Sequence, residues 1–189
     1  MKRQNSLTTL LIVVITGSFL IEKFLYPDLF GKFALAGSSY TTEHSQYYRF
    51  LTVALLHAGW MHLLFNMLAL LQLGTIVENF LGELRYIIVL LASLLAGSFM
   101  SWHFMSPQGS SVGASGMIFG LFGSLLVLGK RAGADPKQVL SLVIVNLLFT
   151  FFPGSNIDWH AHVGGLLGGV LATLVVRGFN SSQKRLRNI

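Results

Sequence analysis

The chain has 189 residues, of which 53% are hydrophobic, a further 20 are glycine, 11% are charged and none is cysteine. Ordinary soluble domains carry about 25% charge, so this composition and a mean hydropathy of +0.66 exclude a disordered chain, a disulfide-built secreted module and a typical soluble enzyme; the lack of cysteine excludes thiolate catalysis, iron–sulfur clusters and cysteine zinc sites. The composition is that of an all-α polytopic membrane protein, and its net charge of +6 reads as a basic cytoplasmic edge rather than a nucleic-acid surface.

Six apolar stretches are long enough to be read as spans: residues 6–25, 51–75, 84–104, 113–129, 137–153 and 159–177. The first follows Lys2 and Arg3, as the apolar run of a signal peptide would. The tripeptide Ala34-Leu35-Ala36 comes too late for a cleavage site, with Glu22 and Lys23 between, so the run reads as an uncleaved span. Residues 26–50, the longest outer segment, carry Tyr26, Tyr40, Tyr47 and Tyr48, expected to anchor at the interface within a loop that has structure of its own. The fourth span opens on the Gly/Ser-rich stretch 108–113, which predicts a helix starting below the membrane surface. The fifth ends in Phe149-Thr150-Phe151-Phe152-Pro153-Gly154, where Pro-Gly breaks the helix; a short span with a loose outer end is read as a lateral gate. Residues 178–189 form a basic tail, and the whole of 1–189 reads as a single membrane domain without repeats or linkers.

Six spans put both termini on one side. That side then holds Lys2, Arg3, Arg85, Lys130, Arg131, Lys137, Arg177, Lys184, Arg185 and Arg187, against Lys23, Lys32 and Arg49 on the other. This asymmetry places the termini in the cytoplasm. In a bacterium the membrane would be the inner one.

Strongly polar side chains inside spans are costly and mark function. The second span carries His57, His62 and Asn66, the fourth opens with Gly113-Ala114-Ser115-Gly116, and the sixth with Trp159-His160-Ala161-His162-Val163-Gly164-Gly165. Ser115 lies fifteen residues before Lys130, and His162 fifteen before Arg177. At 1.5 Å per residue both sit about 22 Å above the inner edge. His62, sixteen residues before Glu78, sits at about 24 Å. Three parallel spans thus bring a serine and two histidines to one level. A serine hydroxyl becomes a nucleophile when a base takes its proton, and histidine is the usual base. Gly113, Gly116, Gly120 and Gly123 on span four, with Gly164, Gly165, Gly168 and Gly169 on span six, are expected to let these two helices approach. His62 and Asn66 share a helix face and, with the Ser115 backbone N–H, suit an oxyanion. Asp158, four residues before His162, reads as an N-cap of span six rather than a third triad member.

In these residues and their order the chain resembles the rhomboid family of intramembrane serine proteases, over about residues 45–177. The pattern H-x-x-x-x-H-x-x-x-N stands as His57, His62 and Asn66, GxSG as Gly113 to Gly116, and A-H-x-x-G as Ala161 to Gly165. The resemblance implies Ser115 as nucleophile, His162 as base, an oxyanion site of Asn66, His62 and the Ser115 N–H, and a structural role for His57. Glu78 looks like the family's acidic residue after the second span. Two positions depart from the pattern: Tyr48-Arg49 stands for Trp-Arg, where interfacial anchoring is expected to survive, and Phe119 stands for a tyrosine packed under the histidine.

The implied function is hydrolysis of peptide bonds in or next to transmembrane helices of other membrane proteins. No cofactor, metal or nucleic acid is called for; membrane lipids and transmembrane substrates are the expected partners. The competing readings are a proton-coupled transporter using intramembrane histidines and a proteolytically silent protein that binds transmembrane helices. The transporter would need acidic groups within its spans, whereas all seven acidic residues lie at span ends or in loops. A metalloprotease lacks its HExxH.

Overall fold

The computed structural model describes residues 6–151 and 157–186. Helix α1 (Leu7–Phe24) opens at Ser6, whose hydroxyl accepts the Thr9 N–H. The next orphan donors of its first turn, the Leu7 and Thr8 N–H groups, go to the Glu78 carboxylate at 2.8 and 3.0 Å, and the Thr8 hydroxyl donates to the same group at 2.7 Å. Helix starts leave such N–H groups unpaired, and in lipid each must find a partner. A carboxylate seventy residues away supplies it.

The segment after α1 folds into short pieces: α2 (Leu29–Phe33), strand β1 (Leu35–Ala36), α3 (Ser38–Glu43), α4 (Arg49–Thr52) and a 3-10 turn over Val53–Leu55. β1 pairs antiparallel with β2 (Ser110–Ser111), Leu35 opposite Ser111 and Ala36 opposite Ser110. Arg49 differs from the interfacial anchor expected of it. It is 3% exposed and donates to the Gln46 side chain and to the carbonyls of Ala34 and Gly31. Irregular backbone leaves carbonyls without ladder partners, and this guanidinium gathers two of them.

The second span is also corrected. Its helix begins at Trp60, not near residue 51, and runs through α5 (Trp60–Ala69), a π turn over Leu70–Gly74 and α6 (Thr75–Leu81). The chain between the 3-10 turn and α5 is extended at Leu56 and Gly59. The Val53 carbonyl, which closes the 3-10 turn by accepting the Leu56 N–H at 3.4 Å, also accepts the Gly113 N–H at 2.9 Å. An apolar composition alone therefore misread a buried loop as helix. The remaining helices are α7 (Glu83–Phe104), α8 (Ser115–Leu128) with a 3-10 turn over Gly129–Ala132, α9 (Pro136–Thr150) and α10 (Trp159–Leu186), which continues past Arg177. The Pro153-Gly154 break lies outside the described residues.

Among the described residues five helical runs are long and apolar enough to cross a membrane: Leu7–Phe24, Trp60–Leu81, Glu83–Phe104, Ser115–Ala132 and Trp159–Arg177. α9 is apolar but has 15 residues, about 22 Å of helix. α8 is the centre of the bundle: eleven of its fourteen residues are buried. Large apolar side chains such as Leu64, Phe65, Leu71, Leu91, Val145 and Leu174 face outward, as expected of a surface solvated by lipid tails. Polar groups such as Ser93, Ser124 and Thr173 are fully buried, Ser124 and Thr173 hydrogen-bonded at 2.6 Å.

The glycines of α10 divide between two neighbours rather than serving span four alone. A Cβ on Gly165 would strike the Gly116 carbonyl, and one on Gly169 the Gly120 carbonyl, so these two meet α8. A Cβ on Gly164 would meet Met100 and the Ala96 carbonyl, and one on Gly168 would meet Ala96 and Ala92, so these two meet α7. Adjacent residues on a helix diverge by about 100°; the Gly164/Gly168 and Gly165/Gly169 pairs therefore form two seams that wedge α10 between α7 and α8.

Candidate active site

Ser115 is the first residue of α8, delivered by Gly113 at φ +124°. That conformation is open to glycine and strained for any residue with a Cβ. As the first helical residue, Ser115 also has a backbone N–H without an intrahelical acceptor. From α10, His162 reaches across the Gly116/Gly165 contact, and its Nε2 lies 2.9 Å from Ser115 Oγ. The imidazole is 6% exposed and stacks on Phe119 with ring centres 4.1 Å apart and planes at 8°. Phe119 is one turn on from Ser115, so one helix carries both the hydroxyl and the surface that orients its partner.

His62 comes from α5. A Cβ on Gly113 would fall 2.9 Å from His62 Nε2 and 3.8 Å from Ser115 Oγ, which places that nitrogen beside the serine. The Ala58 N–H points at His62 Nδ1 at 3.4 Å. A ring nitrogen that accepts carries no proton, so this bond fits the neutral tautomer with its proton on Nε2. Asn66 is one turn along α5, 6% exposed, with Nδ2 donating to the His62 carbonyl at 2.8 Å. That bond uses one of its two N–H donors. His57 is not on the helix with His62. It sits in the extended segment before α5, 2% exposed, and its ring meets His62 edge-on at 5.0 Å.

Asp158 caps α10: its Oδ1 accepts the N–H groups of His160 and Ala161 at 3.1 and 3.3 Å, and its Oδ2 accepts the Ser101 hydroxyl. His162 Nδ1 has no partner among the described residues. His160 stacks between Trp159 and Phe104, at 4.0 and 5.7 Å, while His44 and His103 are exposed. A cavity of about 10 Å³ lies between Ser98, Ser101, Ser111, Ser115, Gly116 and their neighbours, the size of one water position. Sequence reasoning missed Ser98 and Ser101. Their signal was present: Ser98 and Ser101 stand three apart, on one face of an otherwise apolar span, and both are buried.

The cluster sets a serine hydroxyl against a histidine ring nitrogen, with the His62 ring and the Asn66 amide close by; among the described residues no group of three or more His, Cys, Asp or Glu side chains is gathered that could hold a metal ion. The family described as Rhomboid domain matches residues 44–179. The chain is 42% identical over 132 residues to Rhomboid protease GluP of Bacillus subtilis (strain 168), covering 67% of this chain and 25% of that protein. It is 32% identical to the putative rhomboid protease YdcA of the same organism, covering 75% of this chain and 73% of the relative. Rhomboid-type serine protease 2 of Emericella nidulans is 29% identical across 75% of this chain and 29% of its own length. The chain thus spans about a quarter of the first of these relatives and most of the second. Apolar helices packed around buried polar groups, together with a family match across most of the sequence, establish that this integral multi-pass membrane protein belongs to the rhomboid family.

Proposed function

We propose that the chain is a six-span intramembrane serine endopeptidase with both termini cytoplasmic, cutting transmembrane proteins within or beside a membrane helix by a Ser115–His162 dyad. The observation that carries this reading is the 2.9 Å approach of His162 Nε2 to Ser115 Oγ, in a chain whose relatives include proteins named as proteases.

As Ser115 Oγ attacks the scissile carbonyl carbon, His162 Nε2 takes the hydroxyl proton. The carbonyl oxygen becomes an oxyanion held by the Ser115 N–H, His62 Nε2–H and the second Asn66 N–H. The imidazolium returns its proton to the leaving amine as the C–N bond breaks, leaving an acyl-serine. A water then gives a proton to His162 and its oxygen to the acyl carbon, and the proton passes back to Ser115 as the new carboxyl departs. Polar walls at Ser98, Ser101 and Ser111 keep this end of the bundle hospitable to that water. A helical substrate hides its carbonyls in hydrogen bonds and must unwind before attack, so small or helix-breaking residues near the cut are favoured. Entry is lateral, at α9, whose flank is apolar and exposed.

The test is cleavage of a model transmembrane substrate together with fluorophosphonate labelling in detergent. Ser115→Ala and His162→Ala are each expected to lose activity as completely as the double variant, because a dyad acts as a unit. The label is expected on Ser115. Full cleavage by folded Ser115→Ala protein would sink the assignment.

A further inference from the structure

In a serine–histidine–aspartate triad a carboxylate on Nδ1 holds the imidazole in place. Here His162 Nδ1 is buried with no partner among the described residues, so the ring takes its position from Phe119 and from the helix that carries it. One side chain caps the start of that helix and ties it to α7 by a hydrogen bond. Both oxygens of Asp158 are engaged, Oδ1 by the His160 and Ala161 N–H groups and Oδ2 by Ser101 of α7. Ser101 is completely buried, and an O–H···O⁻ bond is among the stronger hydrogen bonds a side chain makes. The same end of α7 touches α10 twice more: Phe104 stacks on His160, and a Cβ on Gly97 would lie 2.7 Å from the Ala161 carbonyl.

We propose that Asp158, bonded to Ser101, is a positioning residue for His162: it fixes the height and rotation of the first turn of α10 against α7, and so brings the imidazole to Ser115. It does through the helix backbone what a triad carboxylate does at the ring. The proposal rests on the dyad reading above. Loss of the Ser101 bond leaves the turn its cap and its packing on Phe104 and Gly97 but no polar tie to α7, and a displacement of about 1 Å at the base costs ~100-fold in rate.

The experiment measures kcat, KM and the rate of fluorophosphonate labelling for wild type, Asp158→Ala, Asp158→Asn, Asp158→Ser, Ser101→Ala and the Asp158→Ala/Ser101→Ala double variant. Asp158→Ala and Ser101→Ala are expected to lower kcat and the labelling rate roughly 10–100-fold with KM unchanged. The double variant should be no slower than the slower single one, since both break one bond. Asp158→Asn keeps an acceptor for the cap and a polar group opposite Ser101, and should recover most of the rate. Asp158→Ser keeps a good N-cap but is too short to reach Ser101; it supplies a folded variant in which only the tie is lost, and should be slow. Wild-type kcat in Asp158→Ser and Ser101→Ala would overturn the proposal. So would Asp158→Asn as inactive as Asp158→Ala, since the charge itself would then be required. Wild type that neither cleaves nor labels would overturn the dyad reading first and the positioning role with it, which separates the two failures.

Discussion

Gly113 shows how much a single residue contributes here. Its φ of +124° turns the chain so that α8 can begin at Ser115, its N–H goes to the Val53 carbonyl, and its missing side chain leaves the space that His62 fills. A Cβ would sit 2.8 and 2.9 Å from two atoms of the His62 ring. Gly113→Ala therefore combines backbone strain of about 1–3 kcal/mol with displacement of His62, the proposed oxyanion donor. A lower melting temperature and a cleavage rate reduced on the order of 100-fold are expected in paired melting and turnover assays; wild-type rate in the folded variant would remove His62 from the site. The residue types at the site were legible in the sequence because serine, histidine and asparagine are conspicuous in apolar spans. The left-handed glycine was not, since GASG in a membrane helix reads equally as packing. Nor was the non-helical run at His57, extended at Leu56 and Gly59: its neighbours are as apolar as those of a true helix.

At the scale of elements, the approach of α8 and α10 rests on carbonyls meeting glycines. Gly165 and Gly169 lie against the Gly116 and Gly120 carbonyls, so close that any Cβ must push the helices apart. In lipid little hydrophobic drive restores the contact. Gly165→Ala and Gly169→Ala are thus expected to lower both melting temperature and cleavage, the rate by up to ~100-fold. Gly168→Ala presses on Ala96 and Ala92 of α7 and should cost stability with a smaller loss of rate. Gly17, where an added methyl would meet nothing within 4 Å, should accept alanine unchanged. Equal melting and cleavage for Gly165→Ala and Gly17→Ala would place the α8–α10 contact elsewhere. Small-residue faces on both helices were legible in the sequence, but the neighbour of Gly168 was not. Two overlapping GxxxG patterns one residue apart cannot both face one helix, and which faces which depends on a third helix, α7, whose small face at Ala92 and Ala96 is less conspicuous than a glycine pair.

At the scale of the whole molecule, the two ends of the bundle are tied differently. One end joins β1 to β2 and α7 to the start of α10; the other joins the start of α1 to Glu78, with Tyr86 Oη 2.9 Å from Thr8 Oγ1 and Gly74 leaving room for both. Glu78→Ala strips three donors of their acceptor. At roughly 1–3 kcal/mol for each buried group left unpaired, it should lower the melting temperature well before it alters the distant site, a split that a paired melting and cleavage assay reads directly. The least regular part of the architecture is α9. Its 15 residues make about 22 Å against a hydrocarbon core of about 30 Å, yet the basic residues Lys130, Arg131 and Lys137 lie before it or at its start, and the start of α10, which must lie beside the end of α7, follows it. On the six-span reading those neighbours flank a crossing: Ala134 belongs with the basic edge, Ile157 with the opposite end, where Ser39 also lies. Because the chain has no cysteine, Ser39→Cys, Ala134→Cys and Ile157→Cys each create a unique thiol. In sealed vesicles of one orientation a membrane-impermeant maleimide should label Ser39→Cys and Ile157→Cys from the same side, and Ala134→Cys only from the other. Labelling of Ala134→Cys and Ile157→Cys from one side would mean that α9 does not cross. The bundle would then have five spans, its termini on opposite faces, and the excess of lysine and arginine would lose its simple meaning.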